Sequence, residues 1–162
     1  MSQKIIIVGE YVASADPSET LKTFALGSCL AIVLLDPATR TVGMLHPALP
    51  DAAVAPEKAV RKPAYFVNTG IAALLELMQE MGCAAGGRGM VCKMAGGAAM
   101  LGQNDTFNVG ERNVAMALSQ LKARGIRLVA QDTGQSLSRT TSINVGTARL
   151  EIASPGMQNR CI

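Results

Sequence analysis

The chain has 162 residues, 49% of them hydrophobic and 17% charged, with a net charge of +3. That length suits one compact domain with ample material for a buried core. The weak, dispersed positive charge and 3% aromatic content exclude a nucleic-acid binder, which needs clustered Lys/Arg and, for RNA, aromatic platforms.

No stretch approaches the roughly 18 apolar residues of a membrane span, and the apolar run Ile5–Val8 is too short for a signal-peptide core. The chain therefore reads as cytoplasmic, where the Asn-x-Thr at Asn104 carries no glycan. Four cysteines, at 29, 83, 92 and 161, form no Cys-x-x-Cys pair and read as free thiols. A zinc site is excluded because His46 is the lone histidine and the cysteine spacings are wrong. No cofactor is implied, and any mechanism needing an imidazole must use His46.

In chain order, "KIIIVGEY" (4–11) has the β-branched character of a first strand. "TFALGSCLAIVLLD" (23–36) predicts a strand entering Cys29 and another leaving it, bent at Gly27 and Ser28. Asp36-Pro37 opens a turn, and "TVGMLHPALP" (41–50) supplies a return strand that Pro47 ends just after His46. Residues 51–62 have no apolar period and read as an exposed loop. A helix is predicted from about Pro63 to Met81, with Ile71, Leu74, Leu75 and Met78 at i, i+3, i+4, i+7 and Gly82 as its stop.

After a turn at 83–89, residues 90–100 read as a small-residue strand and bend. A second helix follows over 108–125, with Val114, Leu118 and Leu121 on one face. Residues 126–134 form a strand, 140–153 a hairpin turning at Asn144–Gly146, and 154–162 a C-terminal tail. The predicted fold class is α/β, a single-domain layered sandwich with a mixed β-sheet and two long helices, the domain occupying 1–153.

The glycine-rich stretches match neither phosphate-binding pattern and read as tight turns. Met78, Met81, Met90, Met94 and Met100 read as core filling, and Asp132 as a turn former. Cys83, Cys92 and Cys161 read as structural. Cys29 differs. Gly27 and Ser28 allow a sharp turn that exposes a side chain and aims backbone N–H groups at one point, suited to a thiolate or an oxyanion. The lone histidine falls on the adjacent strand, and Thr23 offers a hydroxyl to orient its ring.

These residues resemble the CheD family of chemoreceptor glutamine deamidases. The resemblance rests on Thr23-x-x-Leu26-Gly27-Ser28-Cys29, then "GMLHPALP" with His46 seventeen residues after the cysteine. It continues through "KMAGGAAM", "NVGERN", and "DTG" with Arg139 beyond it. It implies a protein-glutamine glutaminase in which Cys29 is the nucleophile, His46 its base and Thr23 their support. The substrates it implies are glutamines of methyl-accepting chemotaxis receptors, converted to glutamate. Some members are also credited with hydrolysing receptor methyl esters, and many bind a CheC-type phosphatase. Two positions depart from the family's usual pattern, Gln135 in place of a glycine and Pro47 in place of a branched residue. The alternatives are a non-catalytic adaptor that binds receptors or the phosphatase, and a hydrolase of small-molecule amides.

Overall fold

The computed structural model describes residues 2–99 and 107–162; Met100 and Asn104 lie outside them. The strands are β1 (Ser2–Ile5), β2 (Tyr11–Ser14), β3 (Glu19–Leu26), β4 (Leu30–Asp36), β5 (Thr41–Leu45), β6 (Val91–Gly96), β7 (Arg127–Thr133), β8 (Arg139–Asn144), β9 (Leu150–Ala153) and β10 (Arg160–Cys161). The helices are α1 (Pro56–Arg61), α2 (Val67–Glu80) and α3 (Val109–Ala123).

The strands form two five-stranded sheets, ordered β1-β3-β8-β9-β10 and β2-β5-β4-β6-β7. Both are mixed, since β1 runs parallel to β3 and β6 parallel to β7 while their other pairs are antiparallel. Strand β4 explains the layering. All of its residues are buried, so its unbroken apolar run serves two cores, one on each face. Leu30, Ile32 and Leu34 pack with Ile71, Leu74 and Met78 of α2 and Leu121 of α3. Val33 and Leu35 point the other way, against Leu21, Ile143, Leu150 and Ile152 of the outer sheet. The result is a three-layer sandwich of helices, central sheet and outer sheet, as the α/β layered reading anticipated, with two mixed sheets in place of one.

Several local expectations are corrected. The expected first strand at 4–11 is two strands in different sheets, joined by a turn in which the Glu10 carboxylate accepts the Ile7 amide at 3.0 Å. Residues 51–62 are not a plain loop, because α1 forms there with Pro56 at its first turn. On α3, Ala117 and Leu121 are buried but Leu118 is 41% exposed. Met78, Met90 and Met94 are core residues while Met81 is exposed. The last residues carry β10, which pairs with β9 through Arg160–Ile152 and Cys161–Glu151.

Asp132 is not a turn former. It lies in β7 and accepts hydrogen bonds from Arg139 Nε at 2.8 Å and from the Arg160 guanidinium. The Arg139 side chain is fully buried, and its other nitrogens reach the carbonyls of Gly134 (3.1 Å) and Gly96 (3.4 Å). One buried guanidinium thus ties the end of β6 to the turn after β7.

Candidate active site

The chain passes from the outer sheet to the central sheet between Leu26 and Leu30, and Cys29 sits at that crossing. The β3–β8 register slips between Thr23 and Leu26, where Ala25 takes a left-handed φ of 56°, a bulge that re-aims the strand into the turn. His46 follows β5 directly. Its backbone extends the β2–β5 ladder, with His46 N donating to Glu10 O at 3.1 Å and Gly9 N to His46 O at 2.8 Å. Leu30 N donates to Pro47 O at 3.2 Å, which fastens the residue after Cys29 to the residue after His46.

Thr23 comes from the other sheet. Its Oγ1 donates to Ile6 O at 2.6 Å and lies 2.8 Å from His46 Nδ1. A hydroxyl has one hydrogen, and here Ile6 O takes it, so Thr23 Oγ1 accepts from an Nδ1–H. That fixes the tautomer and leaves the Nε2 lone pair free to act as a base. Nε2 is buried and has no hydrogen-bond partner among the described residues.

Burial governs the electrostatics. It pushes the His46 pKa below the usual 6.5, with the Ile6 carbonyl opposing. It pushes the Cys29 thiol above the usual 9.0, with its own backbone amide opposing. Thr23 is neutral, so the site holds no carboxylate to favour an imidazolium as in a Ser-His-Asp arrangement. Both shifts favour a resting pair of neutral thiol and neutral imidazole.

The turn carrying Cys29 is held by its carbonyls. Gly27 O accepts from Ala98 N and Cys29 O from Gly97 N, each at 2.9 Å. Ser28 O accepts from Asn113 Nδ2 at 2.9 Å. With these carbonyls drawn toward the 97–98 segment and α3, the Ser28 and Cys29 amides donate to no backbone carbonyl among the described residues. Asn113 Nδ2 also donates to Ala48 O at 3.0 Å.

Thr23 and His46 are therefore in contact, and backbone bonds tie the Cys29 turn to the segment after His46. Cys83 and Cys92 are buried, and burial pushes the Cys92 thiol up to about 12. Cys161 is exposed beside Arg149 Nε at 3.4 Å. Gln135 occupies a left-handed φ of 58°, a conformation that glycine adopts without penalty, and its carbonyl still accepts from Ala99 N at 2.8 Å. Sequence reasoning missed Asn113 and the glycines at 96 and 97. The Gly110-x-x-Asn113 spacing, which puts both residues on one face of a helix, was the available signal.

Among the described residues, no group of His, Cys, Asp and Glu converges as metal ligands, and no helix is long and apolar enough to cross a membrane.

The family model for CheD chemotactic sensory transduction matches residues 48–154. That match begins after Thr23, Cys29 and His46, but full-length relatives extend further. The chain is 42% identical over 156 residues to a probable chemoreceptor glutamine deamidase CheD of Syntrophotalea carbinolica, covering 96% of both chains. It is 33% identical over 154 residues to the chemoreceptor glutamine deamidase CheD of Thermotoga maritima, covering 95% of this chain and 93% of the relative. A similarity that spans two-thirds of the chain by family model and nearly all of it by relatives makes this protein a member of the CheD family.

Proposed function

We propose that this protein deamidates glutamine side chains of methyl-accepting chemotaxis receptors, with Cys29 as nucleophile. The observation that carries the reading is the Ile6–Thr23–His46 relay, which presents an unprotonated Nε2 on the segment fastened to the Cys29 turn.

The neutral resting pair sets the order of events. His46 Nε2 takes the Cys29 proton as sulfur attacks the glutamine carboxamide carbon, and the carbonyl becomes an oxyanion. The Ser28 and Cys29 amides, which donate to no backbone carbonyl among the described residues, are the donors available to that oxygen, a contribution of about 3–4 kcal/mol for one such donor. The imidazolium then returns its proton to the amide nitrogen, because an unprotonated amide nitrogen is a poor leaving group. Ammonia departs and a glutamyl thioester remains on Cys29. Water deprotonated by His46 attacks the thioester, giving glutamate and the regenerated thiol. A glutamyl methyl ester forms the same thioester with loss of methanol, so receptor methylesterase activity requires no further group.

Membership of the family supports receptors as substrates, a cytoplasmic site of action and a CheC-type phosphatase as partner. The test is incubation with receptor cytoplasmic fragments and peptide mass spectrometry of every glutamine. Conversion of particular glutamines to glutamate is the expected result. A folded protein that binds the fragments and converts none would make it an adaptor.

A further inference from the structure

Asn113 lies on α3, is fully buried, and belongs to neither catalytic segment. Its side-chain amide has two hydrogens, and two carbonyls take them: Ser28 O at 2.9 Å and Ala48 O at 3.0 Å. Because both neighbours are acceptors, the nitrogen must face them and the amide cannot be turned around. One acceptor immediately precedes Cys29 and the other lies two residues after His46, so one rigid group joins the nucleophile's turn to the base's segment.

The helix is shaped to deliver it. Gly110, one turn earlier on the same face, approaches the 97–98 segment so closely that a Cβ there would lie 2.4 Å from Ala98 O. That approach seats α3 against the same segment that holds the carbonyls of Gly27 and Cys29. Asn113 Oδ1 meanwhile has no partner among the described residues. A buried acceptor left unpaired is a cost to folding, and the two bonds donated to Ser28 O and Ala48 O stand against it.

We propose that Asn113 is a positioning residue for the Cys29–His46 pair, setting the distance over which the proton passes from thiol to imidazole. This rests on the deamidase reading, but its test requires no receptor. Alkylation of Cys29 by iodoacetamide is followed from pH 5 to 10 by mass spectrometry of the Cys29 peptide, in wild type, Asn113→Asp, Asn113→Ala and Ala117→Gly. The aspartate keeps the shape and loses the donors, the alanine removes the group, and Ala117→Gly weakens the same helix without touching either carbonyl.

Both Asn113 variants are expected to alkylate about tenfold more slowly near neutral pH, with the difference from wild type narrowing toward pH 10 as the thiol begins to ionise, while Ala117→Gly keeps the wild-type profile. On receptor fragments, kcat should fall about 10²-fold, as for a misplacement of about 1 Å, with KM unchanged because a buried residue does not touch substrate. A wild-type alkylation profile in a folded Asn113 variant overturns the proposal, and so does an equal shift in Ala117→Gly. Absence of receptor deamidation by wild type would sink the functional reading and leave the alkylation comparison legible.

Discussion

Gly96→Ala perturbs the candidate nucleophile through the backbone alone. Gly96 has a φ of 110°, and a Cβ built there would lie 2.3 Å from the Cys29 carbonyl oxygen. Real Cβ contacts essentially never fall below 3.0 Å, so the two groups must separate by about 0.7 Å. The obstacle is main chain and has no rotamer to change, so the Cys29–Leu30 backbone itself must retreat. A displacement of that order costs about 10²-fold in rate, and the disfavoured φ costs about 1–3 kcal/mol of stability. Gly125→Ala separates the two effects, because Gly125 also has a positive φ of 67° but nothing within 4 Å of its Cβ position. Deamidation of receptor fragments should fall about 10²-fold for Gly96→Ala and remain at wild-type level for Gly125→Ala, with thermal unfolding lowered in both. Full activity in Gly96→Ala, or an equal loss in Gly125→Ala, would refute the view that this contact holds Cys29 in register.

Three further outcomes follow from the site and its supports. Thr23→Ala removes the acceptor of the His46 Nδ1–H; a buried unpaired donor costs about 1–3 kcal/mol, so kcat should fall by about 5- to 150-fold, and a folded Thr23→Ala protein with no activity would contradict a role limited to orienting His46. In the pH profile of kcat/KM, the acid limb should lie below 6.5, where burial places His46, and the alkaline limb above 9.0, where burial places Cys29; an acid limb above 6.5 would contradict the neutral resting pair. Asp132→Asn leaves Arg139 buried without its carboxylate, at a cost of about 3 kcal/mol in denaturant unfolding. The guanidinium of Arg160, then that of Arg139, holds the Asp132 carboxyl below its usual 3.8. Its stabilisation is therefore complete above that value and lost as pH falls through the lowered one; an Asp132→Asn midpoint equal to wild type would rule out this role.

The legible elements carry their signal within one segment. The all-apolar run of β4, the Asp36-Pro37 turn and the period of α2 report burial directly. By contrast, α1 buries none of its residues, so no apolar period marks it, and β10 is too short to alternate. Residues 4–11 read as one strand because Ile5–Val8 are apolar. Yet Ile7 and Val8 are exposed, 56% and 38%, and serve the turn between sheets. At the candidate site, a lone histidine near a Gly-Ser-Cys turn made Cys29 and His46 visible. The Asn113 clamp reaches 85 and 65 residues back along the chain to its two acceptors, and Gly96 meets Cys29 only after the sheet has formed. Such couplings leave at most a spacing such as Gly110-x-x-Asn113, which does not say what the two residues meet.

The central claim is that Cys29 is the nucleophile and His46 its base. It is tested most directly by glutamine-resolved mass spectrometry of receptor fragments treated with wild type, Cys29→Ala and His46→Ala at equal folded concentration. The account predicts conversion by wild type, none above background with Cys29→Ala, and a loss of at least about 10²-fold with His46→Ala. Deamidation by Cys29→Ala at the wild-type rate would contradict it.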